Sequence, residues 1–157
     1  MNVYQLKEVV TEFLALVRRG SGSSEEDEKR LALLFSALTQ MPRGLVTRPD
    51  QSIFPAPPAL PYQNIRDVVE RRFPSFGSYD LSRQLSEITG QTSIARGNAL
   101  DDMTVIASAL FVIHWRFENT SLADALVHLE QCVDSELASH LCRVQLYLQA
   151  RRQGVPN

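Results

Sequence analysis

The stretch Leu100–Glu118, LDDMTVIASALFVIHWRFE, decides the fold. Met103, Val105, Ile106, Ala109, Leu110, Val112, Ile113 and Phe117 cover most of the circumference of a helix rather than one stripe, which predicts a helix enclosed by others. Its longest apolar run interrupted by a single serine, Val105 to Ile113, is nine residues, about half of what spanning a bilayer requires. The segment therefore reads as the central helix of a bundle, and no membrane partner is expected.

Working outward, the flanking segments supply single stripes that such a helix could be packed against. Val3, Leu6, Val10, Phe13 and Val17 alternate steps of three and four, the signature of an amphipathic helix, which Gly20 and Gly22 end. Ser23 with Glu26, or Ser24 with Asp27, gives the capping-box spacing ahead of Leu31, Leu34, Phe35, Leu38 and Met41, a second helix forming a hairpin with the first. The acids Glu25 to Glu28 then sit in a first helical turn, where they favour the helix dipole and need no partner. Tyr62, Ile65, Val68, Val69 and Phe73 predict a short third helix. Asp80 is placed to cap a fourth, carrying Leu81, Leu85, Ile88, Thr92 and Ala95 and stopped at Gly97 and Asn98.

On the other side, Leu122, Leu126, Leu129, Val133, Leu137, Leu141, Val144 and Leu148 hold one stripe over nearly thirty residues. One straight helix of that length would run about 45 Å, longer than a domain of this size is wide, so a bend or break is expected near Asp134 and Ser135, either of which can cap a new helix. No segment shows period-two alternation and no Asn-Gly hairpin signal occurs. The expected fold is all-α: a single-domain bundle of about six helices, with residues 151–157 as a flexible tail.

Six of the eight prolines fall between Pro42 and Pro61, which excludes a helix or a central strand there. Ile53, Phe54 and Leu60 punctuate this stretch as apolar anchors, so residues 42–61 read as an ordered arm lying across the helices. These three are the candidate partner-binding residues.

Composition narrows the function classes. The chain has 157 residues, 44% hydrophobic and 22% charged, the balance of one ordinary globular domain. Sixteen basic against eighteen acidic groups leave a formal charge of −2 and no basic stripe, which argues against nucleic acid. The basic pairs Arg18 and Arg19, Arg71 and Arg72, and Arg151 and Arg152 each fall at a predicted helix end, where cations complement the dipole. Cys132 and Cys142 would stand about 15 Å apart on a straight helix, beyond disulfide reach, and read as buried reduced thiols. The N-terminal segment lacks the basic start and small-residue site of a signal peptide, so the expected location is the cytoplasm.

Phosphate loops, dinucleotide fingerprints, the nucleophile elbow and the His-Glu-x-x-His motif are all missing from the sequence, and no cofactor or catalytic residue is assigned. Each histidine nevertheless has an acid four residues away: His114 with Glu118, Asp124 with His128, and Glu136 with His140. On helices these are ordinary face-sharing ion pairs. Their functional version brings His114, Glu118, Asp124 and His128 together as a ligand or metal site, with Trp115 as an aromatic wall. The Glu-x-x-His spacing of carboxylate-bridged metal bundles is missing, so no metal is assigned.

Arg71, Arg72, Phe73, Pro74 and Tyr79, then Asp80 and Leu81 with Leu85 and Ile88, then His114, Trp115 and the run Asp124, Ala125, Leu126, resemble an uncharacterised bacterial family, domain of unknown function fifty sixty-three, over residues 62–130. Ala107 to Val112 stand where that family has an aromatic-rich stretch. The resemblance implies a small helical bundle of bacterial origin and supplies no activity. The expected function is thus a non-catalytic helical interaction or regulatory module. It would bind another protein through the arm and a neighbouring helix face, with self-association through a helix face buried in a homodimer as the other partner reading. The alternative is a small-ligand or metal-binding protein, or an enzyme, built around His114 and Glu118.

Overall fold

The structure, a computed structural model, describes residues 2–40, 44, 50–80 and 96–154. Six α-helices lie among them: α1 (Val3–Arg19), α2 (Ser24–Thr39), α3 (Tyr62–Arg72), α4 (Ala99–Asn119), α5 (Leu122–Cys132) and α6 (Ala138–Arg152). The fold is an all-α bundle, and α4 is its centre, packed against α1, α3, α5 and α6, while α2 bridges α1 and α6. The helix predicted to begin at Leu81 lies outside the described residues. None of the described helices is long and apolar enough to cross a membrane.

The helices start and stop where local chemistry satisfies their free backbone groups. Asn2 opens α1 with a reciprocal capping box: its side chain accepts from the Gln5 N–H at 3.0 Å while Gln5 Oε1 accepts from the Asn2 N–H at 2.8 Å. Gly20, at φ 70°, closes it, and a side chain there would also run into the Arg72 guanidinium. Ser23 caps α2 by accepting from the Glu26 N–H at 3.2 Å, the first of the two spacings expected. The first turn of α2 does more than favour a dipole. Asp27 is buried, accepts from the Ser21 N–H at 2.5 Å and faces Arg72 at 3.7 Å, and Glu28 binds Arg151 at 3.0 Å.

The core follows the stripes. Leu6, Val10 and Phe13 of α1 meet Leu31, Phe35 and Leu38 of α2, with the Phe13 and Phe35 ring centroids 5.8 Å apart. Met103, Ile106, Leu110 and Ile113 of α4 complete the interior with Leu141, Val144 and Leu148 of α6. Each such side chain, fully buried, contributes about 1.5–3 kcal/mol relative to exposure. Leu122, expected in this stripe, is instead half exposed at the start of α5.

Three expectations are corrected. The long C-terminal stripe is disturbed at the expected place, Asp134 and Ser135, but not by a cap: the chain stays helical through a π-helical turn, Val133–Leu137, which runs directly into α6. Ser135 donates to the Cys132 carbonyl at 3.0 Å rather than capping a new helix. The tail does not begin at 151, because α6 extends through Arg152 and Arg151 is an anchor, bonded to Glu28 and, at 3.1 Å, to the Ser75 carbonyl. Finally, the chain is not free of strands: β1 (Ser78–Asp80) and β2 (Arg96–Asn98) form a small antiparallel pair, registered Ser78 with Asn98, Tyr79 with Gly97 and Asp80 with Arg96. Three-residue strands are too short to show a period of two. Gly97 leaves room for the Tyr79 ring, which any side chain would overlap, and Asn98 goes on to cap α4 through the Leu100 N–H at 2.9 Å.

The described part of the Pro-rich arm comprises residues 50–61. At one end the Ser121 hydroxyl, with help from Ser52, holds the Asp50 carboxyl below its ordinary pKa. At the other, Tyr62 Oη donates to Asp101 at 2.9 Å and Arg66 pairs with the same carboxylate. Phe54 is half-buried, Leu60 is 42% exposed, and Ile53 is no anchor at all but stands fully in solvent.

Candidate functional site

The acid–histidine pairs do not come together as one site. His114 and Trp115 are half-buried on α4, and Glu118 is exposed and taken by Lys7 of α1 at 2.8 Å. That hydrogen bond, more than the charge of His114, holds the Glu118 carboxyl below its usual range. Asp124 of α5 binds Arg116 at 2.7 Å, and its own N–H donates to Ser121 Oγ at 3.2 Å. His128 faces Cys132, with Nε2 3.6 Å from Sγ. Burial pushes the His128 pKa down, the Arg116 charge adds to this and Asp124 opposes it; burial likewise pushes the Cys132 thiol up, which keeps it protonated and unreactive. Cys132 is thus half-buried as a free thiol, whereas Cys142, also expected inside, is exposed. Among the described residues no three His, Cys, Asp or Glu side chains stand where they could hold a metal ion.

The third histidine ignores its expected acid. Glu136 is exposed, and His140 turns instead to Asp102, with Nδ1 2.5 Å from Oδ1. Asp102 is the most enclosed carboxylate of the seam between β1, α4 and α6: only 3% exposed, it accepts from Tyr79 Oη on its other oxygen and has Arg143 Nη1 at 3.4 Å. Burial, then the bond to Asp102, raises the Tyr79 pKa well above its ordinary value, so the phenol remains a donor. Sequence reasoning missed this cluster. Asp102 is one of two acids in the first turn of α4, and its spacing to Ile106, Leu110 and Ile113 puts it on the buried face, where a carboxylate must find donors. Chemically the group ties three elements: the carboxylate fixes the His140 ring and keeps a phenol and a guanidinium in place.

A different kind of site lies on the opposite side of α4. An apolar cleft of about 190 Å³ opens between α1, α3 and α4. Leu14 and Val17 of α1, Ile65 and Val68 of α3, and Ala107 and Phe111 of α4 line it, together with Leu60 of the arm. Its polar groups are Arg18 and Asn64. Arg18 is exposed, and its guanidinium carbon lies 6.0 Å from the Phe111 ring centroid, which places the charge at the lip of the cleft. Of the expected partner-binding residues, the structure joins Leu60 to this cleft, while Ile53 and Phe54 are not among its lining residues.

No family model matches the chain, and no curated protein matches it in sequence. Among solved structures it is similar to protein BF1032 from Bacteroides fragilis, at 15% identity and a TM-score of 0.64, over 94% of this chain and 89% of that one. At that identity the likeness concerns the fold: the same helical arrangement is built by a largely different sequence.

Proposed function

We propose that this chain is a non-catalytic helical module that binds another protein, with the Pro-rich arm and the cleft beside it as the partner-facing surface. The observation that carries this reading is the arm itself. It runs directly into Tyr62, whose hydroxyl donates to Asp101 at the start of α4, yet it turns Ile53 fully into solvent and leaves Leu60 two-fifths exposed. An apolar side chain held out on an already ordered, proline-stiffened segment loses little further freedom on binding, the condition under which a small contact gives useful affinity. The two free cysteines support a reducing, cytoplasmic setting for that partner.

The test is site-specific photo-crosslinking in cells of the source organism. A photoreactive phenylalanine analogue replaces Ile53, and, as a control, Leu33, which is 73% exposed on α2. A discrete adduct from position 53 and none from position 33 is the expected result. Equal smears from both positions, or no adduct from either, would refute the arm as a partner surface.

A further inference from the structure

We infer that the cleft between α1, α3 and α4 receives an apolar side chain of a partner peptide whose neighbouring carboxylate is held by Arg18. The inference rests on the reading of this face as a partner surface and adds the chemistry of what binds there. Size argues for a side chain rather than a whole small molecule: about 190 Å³ is below the range of roughly 300–1,000 Å³ typical of small-ligand sites, but suits one anchoring residue. Charge decides the neighbour. None of the residues lining the cleft is acidic, and the lip carries a guanidinium whose contact among the described residues is the face of Phe111. An apolar group entering the cleft passes under that cation, and an adjoining acidic side chain reaches it with Asn64 as a further donor. A peptide with a basic residue at that position would set like charges together.

The experiment titrates the isotope-labelled full chain with two capped tripeptides, Glu-Leu-Leu and Gln-Leu-Leu, and follows backbone amide signals. The expected result is that the Glu peptide moves the amides of Val17, Val68 and Phe111 together and binds about threefold more tightly than the Gln peptide, a difference that added salt erodes. Arg18→Gln should bring the two peptides to the same affinity, and Arg18→Lys should retain the preference. Equal binding of both peptides by the unmodified chain, or cleft amides that do not move, overturns the inference. The two readings fail separately. An adduct at position 53 without peptide binding leaves the arm standing and removes the cleft chemistry, and peptide binding without an adduct does the reverse.

Discussion

Two parts of this bundle are held together by opposite means. Between α1 and α2 the buried contact is apolar, Phe13 on Phe35 flanked by Leu6, Leu31 and Leu38, with the Arg30–Glu12 ion pair outside it. At the start of α4, where β1 and α6 meet it, the tie is polar, one buried carboxylate shared by Tyr79, His140 and Arg143. The apolar contact is non-directional and can repack around a change of shape. The polar one has fixed donors, so the loss of its single acceptor leaves several groups stranded in a dry place.

Conservative substitutions make that contrast measurable. Asp102→Asn keeps the shape but removes the charge and turns an amide toward donors, and is expected to lower stability by about 3 kcal/mol, read from urea midpoints. A loss below about 1 kcal/mol would mean that the seam is held by packing alone. Gly97→Ala attacks the same seam from the strand side, since its methyl group would overlap the Tyr79 ring. About 2 kcal/mol is expected, within the range for overpacking, and Tyr79→Phe in the same background should recover little because the ring is still there. Phe35→Leu, the matching change in the hairpin, should cost only about 1 kcal/mol. If Phe35→Leu proves costlier than Asp102→Asn, the contrast is broken.

The same difference explains what could be read in the sequence. The apolar contacts recur at steps of three and four within each helix, so the hairpin, the central helix and the number of helices follow from local spacing. The seam does not: Tyr79 and Asp102 are 23 residues apart, and Asp102 and His140 are 38, so no window along the chain contains the site. The acid that spacing offered to His140 was Glu136, which sits in the π-helical turn and points to solvent. That turn had a signal of its own. From Leu129 to Val133, Leu137 and Leu141 the stripe takes three successive steps of four, each advancing about 40° past a full turn of an α-helix. A wider turn absorbs such drift without a break. The arm was legible from its prolines, but which of its side chains would face outward was not: Phe54 is half-buried and its neighbour Ile53 fully exposed, and proline spacing does not distinguish the two.

The smallest expected effect belongs to His128, which lies in neither region and shows how burial acts on a polar group with no carboxylate fixed to it. Burial, with the Arg116 charge, holds its folded pKa below the value of about 6.5 it has in an unfolded chain. Between those two values the unfolded state carries more protons than the folded one, so stability rises with pH across that window and is lost as pH falls through it. Below the folded value both states are protonated and the loss levels off; above about pH 7.5 both are neutral and the effect vanishes. His128→Gln removes the titration while keeping a polar side chain beside Cys132. Urea midpoints of the two proteins should therefore run parallel at neutral and alkaline pH and converge or cross as the solution is acidified, the histidine form losing more. Parallel curves over the whole range would mean that His128 reaches water in the folded state, and that α5 packs less closely over Arg116 and Cys132 than the seam packs over Asp102.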